Sequence, residues 1–192
     1  NSQAIFLLEV LGVLAVPGPT NSLLFVSGVT RGLRASLNLI LAELWAYIIS
    51  ISFLLLVLEP ASRIHSTIGQ LLRILCSVYL ARMALWLWRW EEQKVRASPI
   101  TFCRVFLTTL VNPKNLVFVF LIFPRAGFNE MFPYLLSFSA ICTGVACGWI
   151  AGGALLHATA VHKTSLNWFY RGEAILLASF AIVILISAYY YS

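Results

Sequence analysis

Charged residues are scarce in this chain. Lys, Arg, Asp and Glu together make up 10% of its 192 residues, whereas hydrophobic residues make up 60%, and the mean hydropathy is +0.89. A soluble domain usually contains about 25% charged residues, so this composition cannot supply the polar surface that water requires. The composition indicates an integral membrane protein whose main solvent is lipid.

Motifs for familiar enzyme chemistry are also missing. The chain contains no G-x-S-x-G, no H-E-x-x-H, no phosphate-binding loop and no paired-carboxylate motif. Its four cysteines form no C-x-x-C pair, and cysteines of this kind usually serve as small apolar residues. His157 and His162 have a poor spacing for two metal ligands on one helix face. We therefore expect no enzyme activity, no bound metal and no cofactor.

Long apolar runs are abundant instead. Six of them have roughly the 20 residues that an α-helix needs to cross a bilayer. The runs are Ala4–Thr30, Ser36–Leu58, Ile68–Trp90, Phe102–Phe123, Tyr134–Thr159 and Gly172–Tyr190. The first run lacks a basic leader and contains Glu9, which is not typical of a cleaved signal peptide. The connectors are short and leave no room for a soluble catalytic domain.

Positive charge is concentrated in alternate connectors. The first, third and fifth connectors hold Arg31 and Arg34, then Arg89, Lys94, Arg96 and Arg104, then Lys163 and Arg171. The second and fourth connectors hold only Arg63 and Arg125. The positive-inside rule therefore predicts that the odd connectors are cytoplasmic and that both termini lie outside. This topology, with anionic lipid as the partner, accounts for the net charge of +6 without a nucleic acid.

Proline interrupts the first and fourth runs at corresponding places. The interruptions read AVPGPTN and VNPKN, and aligning Pro19 with Pro113 also aligns Asn21 with Asn115. Three spans per half is an odd number, so the second half must enter the membrane in the opposite direction. Broken helices at matching positions of inverted halves are a sequence indication of a transporter's binding site.

We therefore predict one all-α transmembrane domain, residues 1–192. It consists of two inverted three-helix repeats, at about 1–95 and 96–192, with the first and fourth helices broken at the proline motifs. The alternative is that these prolines only kink their helices, as prolines in membrane helices often do.

The residues at the breaks favour new helix starts inside the membrane. Asn112 is a favourable N-cap and Pro113 a favourable first helical residue, and Gly18 and Pro19 correspond to them. A helix N-terminus carries unpaired N–H groups and a positive dipole end, which bind carboxylate or phosphate readily. Lys114 would add a full positive charge. The breaks thus predict an anionic group as the guest.

Glu43 lies inside the second run, where a carboxylate is costly and therefore indicates function. It could receive a substrate ammonium or exchange a proton; the alternative is a structural ion pair with Arg82 or Arg73. Glu9 is a second proton-coupling candidate. Glu173 is interpreted as structural, because an acid at the start of the last helix suits the helix dipole.

The two breaks and Glu43 fall at similar depths from the cytoplasmic side, at about 1.5 Å of rise per helical residue. We therefore expect them to converge on one site. The predicted substrate-binding residues are Pro17, Gly18, Pro19, Thr20, Asn21, Glu43, Asn112, Pro113, Lys114 and Asn115.

Three stretches of the chain resemble the LysE/RhtB family of bacterial amino-acid exporters. They are PGPTNSLLF, NPKNLVFVFLIFP and VYLARMALWLWR, and the resemblance extends over most of the chain. It implies an inner-membrane secondary transporter that expels small amino acids or related compounds, driven by the proton gradient. A homo-oligomer is compatible with the sequence. The family's motif positions correspond to Pro17, Gly18 and Pro19, and to Asn112, Pro113 and Lys114.

The second helix departs from the family pattern. The stretch RGLRASLNLILAELWAY keeps Gly32 but has leucine and alanine where many members carry glycine. This departure bears on the substrate more than on the fold.

Two other functions remain open at the level of sequence. An exporter of a metal cation or another small solute would use Glu43 and backbone carbonyls, and would depend little on Asn112 and Lys114. A membrane redox protein of the thiol-relay type would instead depend on its cysteines, which are Cys76, Cys103, Cys142 and Cys147.

Overall fold

The computed structural model describes residues 2–64, 66–89, 99–124, 128–158 and 167–190. Within these ranges the chain is helical and contains no strand. Several residues used above for topology and metal binding lie outside the described residues, or have side chains that do. They are Arg63, Lys94, Arg96, Arg125, His157, His162 and Lys163.

Eight α-helices and one π-helical turn follow one another along the described chain. They are α1 Ser2–Ala15, α2 Pro19–Ser36, α3 Asn38–Ile64, α4 Ser66–Trp88, α5 Phe102–Leu110, α6 Lys114–Val117, the π turn Phe118–Ile122, α7 Phe128–Ala158 and α8 Asn167–Tyr190.

Three of these helices are long and apolar enough to cross a membrane by themselves. They are α3, α7 and α8. Two bent pairs also qualify if each is taken as one span: α1 with α2 is bent by 63°, and α5 with the segment from Lys114 to Ile122 is bent by 46°. The described residues therefore form three to five candidate spans of an all-helical membrane protein. Helix α4, which covers the third predicted run, is not among them.

Both predicted helix breaks are confirmed, and proline chemistry explains them. Helix α1 ends at Ala15, and α2 begins with Pro19 in its first turn after an extended Gly18 (φ −166°, ψ −178°). Helix α5 ends at Leu110, just before Pro113. Proline has no N–H to donate and clashes with the preceding turn, which favours a helix end at both sites.

A third change of direction lies at Gly32. This residue has φ +76° and ψ 177°, a conformation that residues with a Cβ rarely adopt. The chain changes direction there, four residues before the end of α2, on its way into α3. A hydrogen bond of 2.8 Å between Ser27 Oγ and Ser36 Oγ spans this turn.

The helices pack mainly in three long pairs: α2 with α7, α4 with α8, and α3 with α5. The first pair has two points of very close backbone approach. A Cβ added to Gly28 would overlap the carbonyl oxygen of Ile150, and one added to Gly153 would overlap that of Phe25. Small residues are what allow helices to approach so closely inside a membrane.

The pair of α4 and α8 is held by polar contacts as well as apolar ones. Ser77 Oγ donates a 2.7 Å hydrogen bond to the carbonyl oxygen of Ala181. At the other end of the pair, the Arg171 guanidinium lies 5.6 Å from the centre of the Trp88 ring, which is a cation–π contact. These contacts fix the rotation of α8, which decides where its one buried acid points.

Candidate functional site

The two helix breaks are hydrogen-bonded directly to each other. Asn112 Nδ2 donates to Thr20 Oγ1 over 3.2 Å, and Thr20 Oγ1 lies 3.1 Å from Thr109 Oγ1. Asn112 Oδ1 also accepts from the backbone N–H of Lys114 over 2.9 Å, which is the capping role predicted for it. The structure therefore brings the predicted site residues of the first and fourth runs together in the protein interior.

Asn21 and Asn115 have the same structural role at the two breaks. Each side-chain amide donates to two carbonyl oxygens of the helix that precedes its break, over 2.7 to 3.1 Å. The acceptors are Leu14 and Val16 for Asn21, and Thr109 and Leu110 for Asn115. A broken helix leaves such carbonyls without partners. Both asparagines thus stabilise the breaks, and their amide nitrogens are committed to the protein itself.

Lys114 is buried at the fourth-run break and paired with Glu173 of α8. Its Nζ donates a 2.7 Å hydrogen bond to the carbonyl oxygen of Val16 and lies 4.0 Å from Glu173 Oε1. The side chains are 2% and 0% exposed. Each charge offsets part of the cost of burying the other, and removing one partner would leave an uncompensated charge.

Glu173 also covers the start of α2. Its carboxyl group packs so closely on Gly18 that a Cβ at that position would overlap it. The positive end of the α2 dipole, predicted above as a place for a substrate anion, therefore faces a carboxylate that belongs to the protein.

The position predicted for Glu173, at the start of the last helix, was wrong. Helix α8 begins at Asn167, earlier than the apolar run suggested, so Glu173 lies in its second turn and not at its end. The rule that singled out Glu43, an acid inside an apolar run, would have found Glu173 as well.

Glu43 joins the same group of charges from α3. It is 2% exposed, and the cation that acts on it electrostatically is Lys114. The arginines considered above lie elsewhere: Arg82 is exposed, and Arg73 donates to the carbonyl oxygen of Ser187 over 3.5 Å. We call Glu43, Lys114 and Glu173 the charge cluster.

The charge cluster contains acceptor oxygens that no donor satisfies. Buried polar atoms in proteins nearly always have hydrogen-bond partners, yet five side-chain atoms among the described residues have none. These are Glu43 Oε2, both carboxylate oxygens of Glu173, Asn115 Oδ1 and Ser22 Oγ. Three of the five are carboxylate oxygens of the charge cluster, which accept only when the acids are ionised, so the cluster is suited to a partner that donates.

A column of aromatic rings closes the charge cluster on one side. It begins with Tyr47, one turn beyond Glu43, and continues with ring centroids 4.9 to 5.8 Å apart. This aromatic plug consists of Tyr47, Phe118, Phe138, Phe123, Phe6 and Tyr134. It leads from Glu43 towards the first residues of α1.

A cavity of about 280 Å³ approaches the cluster from the opposite side. It lies between α2, α4 and α5, and its walls include Pro19, Asn112 and Pro113 at the breaks and Trp86 and Arg104 further along. At 1.5 Å per helical residue, Arg104 lies about 12 Å along α5 from Asn112. Asn112 thus belongs both to the cavity wall and to the hydrogen bonds that join the breaks.

The remaining predicted residues take other positions. Glu9 is exposed on α1 and is not part of the charge cluster, and Pro17 is half-buried between α1 and α2. All four cysteines are free thiols. Within the described ranges, no three His, Cys, Asp or Glu residues are grouped as a metal site requires.

Comparisons of this chain with protein-family models, with curated proteins and with solved structures find no match. The observations that bear on its function are therefore the geometry of the charge cluster and the motifs of the sequence.

Proposed function

We propose that this protein is a secondary active transporter that exports small amino acids or their derivatives from the cytoplasm by exchange with protons. One observation carries the proposal: Lys114, Glu43 and Glu173 form a buried charge cluster where two proline-broken helices meet. Ionisable groups inside a membrane domain are costly and mark substrate or proton pathways. Broken helices at the centre of a bundle are a recurrent feature of transporter binding sites. The resemblance to the LysE/RhtB exporters points the same way.

The proposed architecture has six spans in two inverted halves, with α4 as the third span and both termini outside. Its support is the way the helices pair. An inverted repeat relates span one to span four, span two to span five and span three to span six. It therefore converts the pair of spans one and five (α2 with α7) into the pair of spans four and two (α5 with α3). The pair of spans three and six (α4 with α8) is converted into itself. These are the three most extensive helix pairs.

The asparagine pair supplies a second, independent sign of internal symmetry. Asn21 donates to Val16 and Asn115 donates to Leu110, so each reaches the carbonyl five residues before it. Two structurally related halves are expected to have the same hydrogen bond at the bend of their broken helices.

The charge balance of the cluster suggests how transport is coupled. With all three groups ionised, two carboxylates face one ammonium, and the cluster carries one excess negative charge. A buried excess charge is unfavourable, so the cluster favours one additional cation. A proton and the ammonium group of a substrate compete for that place. Their mutual exclusion is what an antiporter requires.

The cavity and the aromatic plug suggest an inward-facing state. The cavity reaches the breaks from the end of α5 that carries Arg104, which the positive-inside rule assigns to the cytoplasm. The aromatic plug closes the other end. Export then requires the cavity to close and the plug to separate, for instance by movement of the α4–α8 pair against the remaining helices.

The cluster gives less support to a metal-cation exporter. Lys114 places a fixed ammonium beside the two acids, where it would repel a divalent ion. For a thiol relay, the four free cysteines supply no dithiol or disulfide to start from.

Amino-acid efflux tests the proposal. Bacteria lacking their own exporters would express the protein, be loaded with mixed dipeptides, and have their medium profiled by mass spectrometry. We expect accumulation of one or a few amino acids with the wild type, and at least tenfold less with Glu43→Gln or Glu173→Gln. Arg82→Gln removes an exposed charge and serves as the control. A profile identical to that of empty vector, despite verified membrane insertion, would overturn the proposal.

A further inference from the structure

Most hydrogen-bond donors around the charge cluster already bind acceptors of the protein itself. Lys114 gives its backbone N–H to Asn112 and its ammonium to the Val16 carbonyl, with Glu173 beside it. The amide groups of Asn21 and Asn115 hold the ends of the broken helices. A substrate carboxylate entering the cluster would find most of these side-chain donors occupied, and it would meet two carboxylates of like charge against one ammonium.

The unsatisfied groups are acceptors contributed by several helices. Glu43 comes from α3 and Glu173 from α8, and Asn115 follows Lys114 in α6. A primary ammonium has three N–H donors and one positive charge. Its charge therefore matches the excess negative charge of the cluster, and its three donors match the three free carboxylate oxygens of Glu43 and Glu173.

The surroundings of the charge cluster suit the apolar part of a molecule that carries such an ammonium group. Tyr47 lies one turn from Glu43 and contacts Phe118, and aromatic ring faces attract cations and not anions. The cavity that ends at the breaks is lined largely by apolar side chains, such as Leu23, Met83 and Val111. The apolar wall of that cavity suits a short hydrocarbon chain, and the cavity ends at Asn112 and Pro113, directly before Lys114 in the sequence.

We propose that the site recognises a primary ammonium group on a short apolar carbon chain, through Glu43 and Glu173, and does not require the carboxylate of an amino acid. This inference rests on the proposed transport function and narrows it. Simple primary amines are then substrates alongside apolar amino acids. Carboxylic acids of the same shape are not.

A matched ligand set tests this on the purified full-length protein in detergent. The ligands are leucine, isoamylamine (which lacks the carboxylate), isocaproate (which lacks the ammonium) and N-acetylleucine (whose nitrogen is uncharged). Thermal stabilisation, followed by intrinsic tryptophan fluorescence, reports binding. We expect stabilisation by leucine and isoamylamine, each competing with the other, and none by isocaproate or N-acetylleucine.

Variants of Glu43 and Glu173 test whether these two acids bind the amine. Glu173→Gln and Glu43→Gln should each weaken isoamylamine binding by about tenfold to a hundredfold, because each removes a charge-assisted hydrogen bond. Arg82→Gln should leave it unchanged. The ligand set is applied to the wild type first, so an unstable variant does not remove the test.

The failures of the two proposals are distinguishable. Binding of isocaproate, binding of leucine without isoamylamine, or no stabilisation by any amine would overturn ammonium recognition. Efflux of a compound without a primary ammonium would overturn it too, while leaving the transporter proposal in place. Isoamylamine binding without efflux of any amine or amino acid would overturn the transporter and leave the ammonium site.

Discussion

Lys114 Nζ lies 4.0 Å from Glu173 Oε1, with the two side chains 2% and 0% exposed. The pair connects the break after α5 to the second turn of α8. Glu43 of α3 acts on the same ammonium. One buried cation therefore interacts with two carboxylates from different helices, and it links three helices of the protein.

Removing that cation should destabilise the protein strongly. Lys114→Met leaves two buried acids without their counter-ion, and breaking a buried pair typically costs about 3–5 kcal/mol. The double variant Lys114→Met/Glu173→Gln removes charge from both sides and should recover much of that loss. The measurement is the free energy of unfolding in mixed micelles for both single variants and the double variant. Additive effects would mean that the two side chains do not interact.

Gly18 should be intolerant of even one methyl group. Its backbone angles are open to any residue, so the expected cost of Gly18→Ala comes from overlap with the Glu173 carboxyl group. Overpacking usually costs about 1–3 kcal/mol. Gly144→Ala is the matched control, because nothing lies within 4 Å of a Cβ there. The measurement is the thermal stability of both variants, and if the overlap is the cause, Gly18→Ala should cost less in a Glu173→Ala background than in the wild type.

The sequence predicted those parts of the site that follow from local chemistry. Proline removes a backbone donor and clashes with the preceding turn, so the breaks near Pro19 and Pro113 were predictable. An acid in an apolar run must be buried or paired, which identified Glu43. The similar depths of these features also predicted that they would meet, because helix rise per residue is nearly constant.

The pairing partners could not be predicted in the same way. Helices that are apolar on nearly every face give no signal for which side turns inward, so the sequence did not show that α8 directs Glu173 at Gly18. The asparagines were likewise expected to contact substrate, whereas Asn21 and Asn115 bind carbonyls of their own broken helices. That role depends on how sharply each helix bends, which the proline alone does not determine.

Replacing two neighbouring glycines of α7 by alanine should have different effects on stability. A Cβ at Gly153 would overlap the backbone of Phe25 in α2, whereas one at Gly152 would only make an ordinary contact of 3.8 Å with the Phe25 ring. Gly153→Ala must therefore push two helices apart, at about 1–3 kcal/mol, and Gly152→Ala should be nearly neutral. The two melting temperatures, measured side by side, provide the check. Equal values would show that α2 and α7 are not in such close contact.

Gly32 should contribute to stability only through its backbone conformation. With φ +76° and ψ 177° it occupies a region that other residues avoid, yet a Cβ there would meet nothing within 4 Å. Gly32→Ala should destabilise the turn from α2 to α3 by about 1–3 kcal/mol. Gly12→Ala, in the equally open surroundings of α1, should be neutral or stabilising, because alanine favours helix. Thermal unfolding distinguishes the two, and a tolerated Gly32→Ala would mean that the turn has another shape.

Three single-cysteine variants should report which side of the site is open. Met83→Cys places a thiol in the cavity wall, native Cys142 is buried one turn beyond Phe138 of the aromatic plug, and native Cys103 is exposed near the start of α5. Each would be studied with the other native cysteines replaced by serine. A membrane-impermeant maleimide would be added to right-side-out and to inside-out vesicles, and labelling would be followed by gel shift.

In an inward-facing protein, the thiols of Met83→Cys and Cys103 react only in inside-out vesicles. Cys142 reacts in neither orientation, because the aromatic plug and the hydrogen-bonded breaks enclose it. Cys142 is close enough to Glu43 to interact with it electrostatically, so its reactivity reports access to the charge cluster itself. Labelling of Cys142 from outside would mean that the plug opens readily and that the resting state faces outward. Failure of Met83→Cys to react in either orientation, with Cys103 labelled as expected, would mean that the cavity opens towards lipid, and a substrate path from the cytoplasm through it would be excluded.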